Sequence, residues 1–350
     1  MTSSYEPGLR ASEYVLEERI GSGTFGEVWQ ARHHIWEDER VAIKLPTEPD
    51  YVRYLQREGV VIHGLRHPNV VRVMGLDPYA DVPYLVMELV RGPALRQVIN
   101  EHPKGLAIAT AVTILRGILN AMVVAHANNV LHRDLKPGNV LLNLEGKPID
   151  EVTQSDIKVS DFGLGVANPE TFKSIVQSAS IDRESAIVGT LAYMAPELRD
   201  GACQADPRCD LYSIGVVLFE LLTGVRPAGA ELPSTMRAEV PTALDEVFRN
   251  LYARHERRYE SAQAALEDLD ARLSPAKLVP PPLPQAPADQ RARRSCPACG
   301  QVVERYDQFC TQCGGQMVPE VRRCPSCGGY PGSDDTFCIF CGVRLPQVGV

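Results

Sequence analysis

Three features are missing from this 350-residue sequence. Residues 1–10 contain no apolar signal core, and the most apolar run, residues 212–224, is interrupted by Glu220 and too short to span a bilayer. Positive charge is not in excess either. The net charge of −8 argues against general binding to nucleic acid or to anionic membranes. These absences predict a cytoplasmic protein with no membrane segment.

Cysteine is scarce in the first 295 residues, which hold only Cys203 and Cys209. The other eight cysteines follow residue 295 as four C-x-x-C pairs. In a cytosolic chain such clustering indicates metal ligation rather than a disulfide framework. We therefore interpret Cys203 and Cys209 as ordinary thiols and the eight others as metal ligands.

The pattern of apolar residues changes along the chain from strands to helices. Residues 14–45 and 70–90 alternate in the manner of strands, with one helix predicted over residues 50–64 between them. Helices are predicted over residues 107–128, 210–223, 244–251 and 262–273. A strand-rich part followed by a helix-rich part predicts an α+β fold of two lobes with a cleft between them.

The helix predicted over residues 50–64 has one unexpected residue on its apolar face. Tyr51, Leu55, Glu58 and Ile62 are spaced four, three and four apart and so share that face. A carboxylate on an otherwise apolar face needs a cationic partner.

A proline-rich segment separates these lobes from an internal repeat. Residues 275–287 hold six prolines, so we predict a linker over residues 274–295. Beyond it, Cys296, Cys299, Cys310 and Cys313 recur 28 positions later as Cys324, Cys327, Cys338 and Cys341. Four further positions also agree at that interval, which makes chance repetition implausible.

A glycine cluster, G-S-G-T-F-G-E-V over residues 21–28, lies between two predicted strands. Glycines allow backbone N–H groups to approach phosphates closely. A dinucleotide-binding turn would need a helix to begin at the third glycine. Residues 27–31 instead continue as a strand, which excludes that interpretation.

Lys44 ends the apolar strand sequence V-A-I-K. A lysine here could simply be a solvated strand end. Glu58 favours a functional role, because a phosphate-binding lysine needs an orienting anion and the carboxylate needs a cation.

The sequence H-R-D-L-K-P-G-N over residues 132–139 follows the long apolar helix. Its aspartate and asparagine could be turn formers, but a lysine two residues after the aspartate makes the pattern more specific. Asp134 can accept a hydroxyl proton, Lys136 can neutralise a phosphoryl group, and Asn139 can bind a metal.

Three more motifs follow: D-F-G at residues 161–163, A-P-E at 195–197 and D-L-Y-S-I-G at 210–215. With these, residues 14–273 resemble the eukaryotic-like (Hanks-type) protein kinase family, because six of its motifs occur in the family's order. The resemblance implies a bilobal kinase fold, with an antiparallel-sheet N-lobe over residues 14–87 and a helical C-lobe over residues 91–273.

The resemblance also implies a role for each matched residue. Asp134 would be the base that orients the substrate hydroxyl, assisted by Lys136, and Lys44 would contact the ATP phosphates and pair with Glu58. Asn139 and Asp161 would bind Mg²⁺ (or Mn²⁺). The nucleotide would be held by Ile20, Gly21, Gly23, Gly26, Val28, Ala42, Lys44, Met87, Glu88, Val90, Leu141 and Asp161. Glu197 should pair with Arg258.

These motifs are intact, which argues against the alternative of a pseudokinase scaffold. Lys136 and Thr190 match the serine/threonine branch rather than the tyrosine branch, so the implied substrates are Ser/Thr hydroxyls of proteins. Arg133 before the catalytic aspartate suggests regulation by autophosphorylation of the activation loop. The candidate acceptors are Thr171, Ser174, Ser178, Ser180 and Ser185.

Two departures from the family pattern stand out. The stretch between Gly224 and Arg258 is short, and its prolines limit helix formation where the family usually has one more helix. Residues 143–154 also lengthen the connection before the D-F-G strand, which we interpret as a surface hairpin extension.

Each half of the cysteine repeat reads C-x₂-C-x₁₀-C-x₂-C. Four thiolates satisfy a tetrahedral Zn²⁺, so residues 296–342 resemble a double zinc ribbon with two structural zinc ions. Iron is a lesser alternative, and the pairing of the C-x-x-C knuckles stays open. The tail could dock a protein partner, act only structurally or bind nucleic acid. Residues 291–350 carry a net charge of +2. This basic character is too mild to favour nucleic-acid binding, so protein docking is the favoured role.

Overall fold

The computed structural model describes residues 5–23, 26–47, 51–162, 191–199, 204–274, 293–304, 307–332, 335–338 and 341–346. The chain divides into two compact units, Met1–Lys277 and Leu278–Val350. The division falls within the segment that we predict to be a linker.

The strands of the first unit are β1 (Arg10–Ala11), β2 (Tyr14–Gly23), β3 (Gly26–His33), β4 (Arg40–Leu45), β5 (Val73–Asp77), β6 (Tyr84–Glu88), β7 (Val140–Leu142) and β8 (Ile157–Val159). Its helices are α1 (Val52–His63), α2 (Leu95–Glu101), α3 (Ile108–Ala127), α4 (Pro196–Arg199), α5 (Pro207–Thr223), α6 (Pro233–Met236), α7 (Thr242–Tyr252) and α8 (Ala262–Leu273). The predicted α+β fold with a sheet first and helices later is confirmed.

The N-lobe is an antiparallel sheet in the order β1-β2-β3-β4-β6-β5. Alternate residues of its strands face two different cores. Trp29, Val41 and Ile43 pack on one face. On the other face Ala42 and Met87 join the large core that α1 completes with Leu55 and Ile62. The helix predicted over residues 50–64 is therefore confirmed, and its apolar face is what holds it against the sheet.

The C-lobe is built around α3 and α5. Ile114, Leu115 and Ile118 of α3 are fully buried. Contrary to the expectation from residues 212–224, α3 is by length and composition apolar enough to cross a membrane, but 61% of its apolar window is buried inside the protein. Its hydrophobicity is thus accounted for by the core of this lobe.

Two short strands at the edge of the C-lobe, β7 and β8, pair antiparallel with Leu141 opposite Lys158. The connection between them contains two 3-10 turns, Ile149–Glu151 and Gln154–Asp156, rather than additional strands. Leu144 and Val152 are buried in this connection. The lengthened segment is therefore a packed loop that closes the β7–β8 hairpin.

The region between Gly224 and Arg258 contains one four-residue helix, α6, before α7 begins. The expectation that helix formation is limited in this stretch is confirmed for the part that precedes α7. Asp245 of α7 holds α6 in place by accepting a 2.9 Å hydrogen bond from the Ser234 backbone N–H.

The second unit contains the strands β9 (Arg293–Ser295) and β10 (Val302–Glu304), which pair antiparallel. Its two cysteine repeats make equivalent contacts. Cys296 N donates to Gln301 O at 2.8 Å, and Cys324 N donates to Gly329 O at 2.8 Å. The internal repeat of the sequence is therefore also a repeat of structure.

Candidate active site and metal centres

A cleft of about 1100 Å³ opens in the first unit between the sheet and the helical lobe. Eleven of the twelve residues predicted to hold a nucleotide line this cleft; they are Ile20, Gly21, Gly26, Val28, Ala42, Lys44, Met87, Glu88, Val90, Leu141 and Asp161. Gly23 lies in the same hairpin, where it pairs with Gly26. Residues from β2, β3, β4, β6, β7 and the end of β8 thus converge on one cavity.

Gly26 is packed against the strand that carries Lys44. A Cβ atom at Gly26 would lie 2.3 Å from the carbonyl oxygen of Leu45, closer than any side chain can approach. Glycine at this position therefore lets the start of β3 approach the end of β4 at backbone contact distance.

Lys44 and Asp161 face each other across the cleft. Lys44 Nζ lies 2.5 Å from Asp161 Oδ1, and the hydroxyl of Ser160 donates to Asp161 Oδ2 at 2.8 Å. Burial opposes ionisation of Asp161, but the Lys44 ammonium and the Ser160 hydroxyl outweigh it and lower the pKa of Asp161 to about 2. Asp161 is therefore a carboxylate at neutral pH. It also has a φ of +61°, a strained conformation that is common at functional sites.

Glu58 is the predicted partner of Lys44. Its backbone belongs to α1, which packs against β5 and β6. Its side chain lies outside the described residues, so its pairing with Lys44 stays a prediction.

The loop over residues 132–139 brings three predicted functional groups together. Lys136 Nζ lies 2.8 Å from Asp134 Oδ2. The Asn139 amide nitrogen donates to the Asp134 backbone carbonyl at 2.8 Å and to Asp134 Oδ2 at 3.2 Å. These two bonds occupy the amide nitrogen of Asn139, and the amide oxygen Oδ1 is the atom that would bind a metal.

Asp210, in the first turn of α5, anchors the backbone of this loop. It is 1% exposed and accepts hydrogen bonds from the backbone N–H groups of His132 and Arg133 and a contact from His126 Nε2, all at 2.8–2.9 Å. Burial alone would raise the pKa of Asp210, but these groups lower it. The sequence showed Asp210 only as part of a motif. Its anchoring role could have been suspected from an acid at the start of an apolar helix.

Glu197 and Arg258 form the predicted ion pair. The guanidinium contacts both carboxylate oxygens, at 2.5 and 3.0 Å, and also donates to the carbonyl of Arg208 at 3.0 Å. Arg258 is 4% exposed. This bidentate pair fixes the A-P-E segment to the helical lobe.

Sequence reasoning missed a second buried cluster. Glu220 interrupts the apolar run of α5, and the structure shows that it accepts hydrogen bonds from Tyr193 at 2.6 Å and from Arg96 at 2.9 Å. The signal was present, because an acid within a largely apolar helix must find partners.

Glu88 ends β6 and begins the connection between the two lobes, residues 88–90, which we call the hinge; it has a partner that was also not predicted. The Glu88 carboxylate accepts from Lys158 Nζ at 2.9 and 3.1 Å and from the Arg72 backbone N–H at 2.8 Å. These bonds tie the hinge to β8.

Several predicted features lie outside the described residues. They are Gly163 of the D-F-G motif, Thr190, Cys203 and the loop acceptors Thr171, Ser174, Ser178, Ser180 and Ser185.

The eight tail cysteines form two clusters of four sulfur atoms. Cys296, Cys299, Cys310 and Cys313 lie within 4.8 Å of one another, as do Cys324, Cys327, Cys338 and Cys341. Each repeat therefore forms its own cluster, which decides the pairing that the spacing left open. The closest sulfurs are 3.6–3.7 Å apart. A tetrahedron of Zn–S bonds of about 2.3 Å needs sulfurs just under 4 Å apart, so the clusters fit zinc.

Gln308 joins the two repeats. Its side chain is buried, and its amide nitrogen donates to the carbonyl of Arg322 at 2.8 Å. Phe309 meets Tyr330 of the second repeat edge to face, with ring centroids 5.2 Å apart. Polar and aromatic contacts thus hold the two ribbons together.

Comparison with known proteins agrees with this geometry. The protein kinase domain family matches residues 14–273, and the double zinc ribbon family matches residues 295–342. The serine/threonine-protein kinase PrkC of Bacillus subtilis is 32% identical over 295 residues, which cover 77% of this chain and 41% of PrkC. PkaA of Streptomyces coelicolor, also named a serine/threonine-protein kinase, is 35% identical over 62% of this chain and 40% of its own length. The chain thus spans about two fifths of these relatives.

The fold has a match among solved structures. The PknI kinase domain of Mycobacterium tuberculosis aligns with 77% of this chain at a TM-score of 0.58 and 22% identity. PknL of the same organism, named a serine/threonine-protein kinase, is 32% identical over 76% of this chain and 67% of its own length. The chain belongs to the protein kinase family, and its C-terminal segment is a double zinc ribbon.

Proposed function

We propose that this protein is an active serine/threonine kinase that transfers the γ-phosphate of ATP to Ser/Thr hydroxyls of proteins. The observation that carries the proposal is the convergence of Lys44, Asp134, Asn139 and Asp161 on one cleft that also contains the glycine-rich hairpin. Phosphoryl transfer asks a protein mainly for positioning and for neutralisation of charge, and this cleft supplies groups for both.

Each group has a definite task in this proposal. The Asp134 carboxylate accepts a hydrogen bond from the substrate hydroxyl and turns its oxygen toward the γ-phosphorus. Lys136, 2.8 Å from Asp134, stands beside the transferred group and balances its charge. Lys44 holds the remaining phosphates. Asp161 and Asn139 would hold the divalent metal, Mg²⁺ or Mn²⁺, which neutralises phosphate charge when bound.

The preference for Ser/Thr over Tyr is supported by Lys136 and by the names of the relatives. Lys136 lies beside the proposed base, with its ammonium nitrogen 2.8 Å from the Asp134 carboxylate. We also propose that the protein acts in the cytoplasm.

Phosphate transfer from radiolabelled ATP, followed by phosphoamino-acid analysis, tests the activity. Asp134→Asn should lower the rate by several orders of magnitude, because the amide cannot accept the hydroxyl proton. Asp150→Asn, which changes an exposed residue of the β7–β8 loop, is the matched control and should leave the rate unchanged. If wild type and Asp134→Asn label equally weakly, the pseudokinase scaffold becomes the better description. Labelled phosphotyrosine would contradict the proposed specificity.

Regulation by autophosphorylation of the activation loop is part of the proposal. Arg133 has a φ of +65°, and its Nε is a buried nitrogen with no hydrogen-bond partner among the described residues. A buried guanidinium nitrogen of this kind is suited to receive a phosphate. Phosphopeptide mapping after incubation with ATP should find phosphate on at least one of the five loop acceptors. A loop that remains unmodified would contradict this part.

For the zinc-ribbon tail we propose docking onto a protein partner, with two structural Zn²⁺ ions. The small ribbons bury few apolar residues besides their cysteines, so metal would supply much of their stability. A pull-down that compares the full chain with a chain ending at residue 277 should yield a partner only for the full chain, and a chelator should release it. A salt-dependent shift of DNA or RNA by the full chain would instead favour nucleic-acid binding.

A further inference from the structure

The segment over residues 5–11, which precedes the kinase motifs, is hydrogen-bonded to the N-lobe sheet. Gly8 N donates to Leu16 O at 2.8 Å, and Leu16 N donates to Leu9 O at 3.0 Å. Two residues later β1 pairs antiparallel with β2 at the edge of the sheet. The first described residues of the chain are thus fixed to the strand that leads into the glycine-rich hairpin.

Tyr5 is the outermost anchor of this segment. Its hydroxyl donates to the backbone carbonyl of Pro46 at 2.5 Å, across 41 residues of chain. Its half-buried ring packs against the apolar cluster that contains Trp29 and Leu45. Pro46 directly follows β4, so Tyr5 holds the end of the strand that carries Lys44.

Tyr5 also lies close to Glu27, the residue after the third glycine of the hairpin. Burial raises the pKa of Tyr5 and the nearby Glu27 carboxylate raises it further. Glu27 is 6% exposed and accepts hydrogen bonds from the Trp29 indole at 3.0 Å and from Arg19 at 3.3 Å. Tyr5, Glu27, Trp29 and Arg19 are not among the described residues that line the cleft. This group therefore lies on the outer side of the hairpin.

The glycine-rich hairpin and the end of β4 meet directly beside Pro46, the residue that the Tyr5 hydroxyl contacts. Gly26 is packed so closely on Leu45 that an added Cβ would lie 2.3 Å from the Leu45 carbonyl oxygen and 3.5 Å from Pro46 Cα. A displacement of the Leu45–Pro46 backbone must therefore move Gly26. The hydroxyl of Tyr5 holds the backbone at that point.

We infer that Tyr5 is a positioning residue for the phosphate-binding part of the cleft, which acts through Pro46 to set the glycine-rich hairpin over β4. The inference rests on the proposed function, because it requires a nucleotide in the cleft. It assigns a role to the segment that precedes the kinase motifs. Its specific consequence is that Tyr5 affects the binding of phosphates and not the binding of adenine.

The dissociation constants of ATP (with Mg²⁺) and of adenosine, measured by calorimetry on the full chain, test this inference. Tyr5→Phe removes only the hydroxyl that bonds Pro46. It should weaken ATP binding about 3- to 10-fold, the effect of one hydrogen bond, and change adenosine binding less than about twofold. A general loss of N-lobe structure would weaken both ligands in parallel, so the split between them separates positioning from folding.

Tyr14→Phe is the matched control. Tyr14 belongs to the same sheet but pairs with His33, at the end of β3 remote from Gly26. This variant should bind both ligands as wild type does. Equal ATP affinity of Tyr5→Phe and wild type, or a parallel loss of ATP and adenosine binding, would overturn the inference. If wild type binds neither ligand, the proposed kinase function is what fails.

Discussion

The ammonium nitrogen of Lys44 lies 2.5 Å from Oδ1 of Asp161, although 117 residues separate them in the chain. Lys44 is 6% exposed and stands on the sheet, whereas Asp161 follows β8 of the helical lobe. The pair therefore joins the two sides of the cleft. It also keeps Asp161 ionised, because the lysine lowers the pKa of a carboxyl that burial alone would raise.

Replacement of Lys44 by methionine should reduce kcat about 10²- to 10³-fold. The substitution keeps the length of the side chain but removes the charge that faces Asp161 and the phosphates. Steady-state phosphorylation of a Ser/Thr peptide measures the effect. Lys147→Met is the control, because Lys147 is 45% exposed in its ion pair with Asp156 outside the cleft. Equal kcat values for the two variants would contradict the role of Lys44.

A methyl group at Gly26 should weaken ATP binding at least about fivefold. The added atom would meet the Leu45 carbonyl 2.3 Å away and force β3 off β4. Gly138→Ala is the comparison, since Gly138 also lines the cleft but an added Cβ has no heavy atom within 4 Å. Nucleotide titration of both variants measures the difference. If Gly138→Ala is the more damaging change, the close packing of Gly26 does not control the hairpin.

The ion pair of Glu197 with Arg258 should stabilise the fold in a pH-dependent way. Burial opposes the charge of Glu197, but the hydrogen bonds from Arg258 outweigh it and lower its pKa below the ordinary 4.5. A depressed folded-state pKa means that the stability is present above pH 4.5 and is lost as the pH falls below that value. Glu197→Gln should therefore lower the free energy of unfolding by about 3 kcal/mol at pH 7. The gap between the unfolding free energies of wild type and variant should become smaller in acid.

Denaturant unfolding at several pH values measures this gap. Glu246→Gln supplies the control, because the pair of Glu246 with Arg249 lies on the exposed surface of α7. Its loss should cost less than about 1 kcal/mol at pH 7. A gap for Glu197→Gln that is equally large at pH 7 and at pH 4 would show that the charge of Glu197 is not what stabilises the fold.

The number of zinc ions bound per chain should depend on which cysteine is replaced. Wild type should contain two zinc ions per chain, and Cys299→Ala about one, because this change removes one ligand of the first cluster. Cys209→Ala should keep two, since Cys209 lies in α5 beside Glu197 and belongs to neither cluster. Elemental analysis of the purified full chain gives these numbers. Iron in place of zinc, or two zinc ions retained by Cys299→Ala, would contradict the assignment.

Local sequence patterns predicted the elements well where a single physical signal sets them. The apolar face of α1 and the long apolar run of α3 lie within two residues of their predicted bounds. The start of α5 was less predictable: it begins at Pro207, three residues before the predicted position. The side chain of Asp206 caps it by accepting from Arg208 N at 2.9 Å, a signal that apolar periodicity does not contain.

The residues that could carry chemistry were predictable from the sequence alone. Motif spacing located the glycine-rich hairpin, Lys44, Asp134, Asn139 and Asp161. The 28-residue repeat located the zinc ligands, because a C-x-x-C knuckle is a local turn whose geometry depends on few residues.

Which distant charges meet could be seen only once the chain was folded. Glu220 could be recognised as an acid in an apolar helix, but its partners Arg96 and Tyr193 come from segments 124 and 27 residues away. The bond of Tyr5 to Pro46 has no signature in the sequence at all. Buried polar groups must be paired, but the fold brings the partners together from any distance along the chain, so their identity follows from packing and not from local pattern.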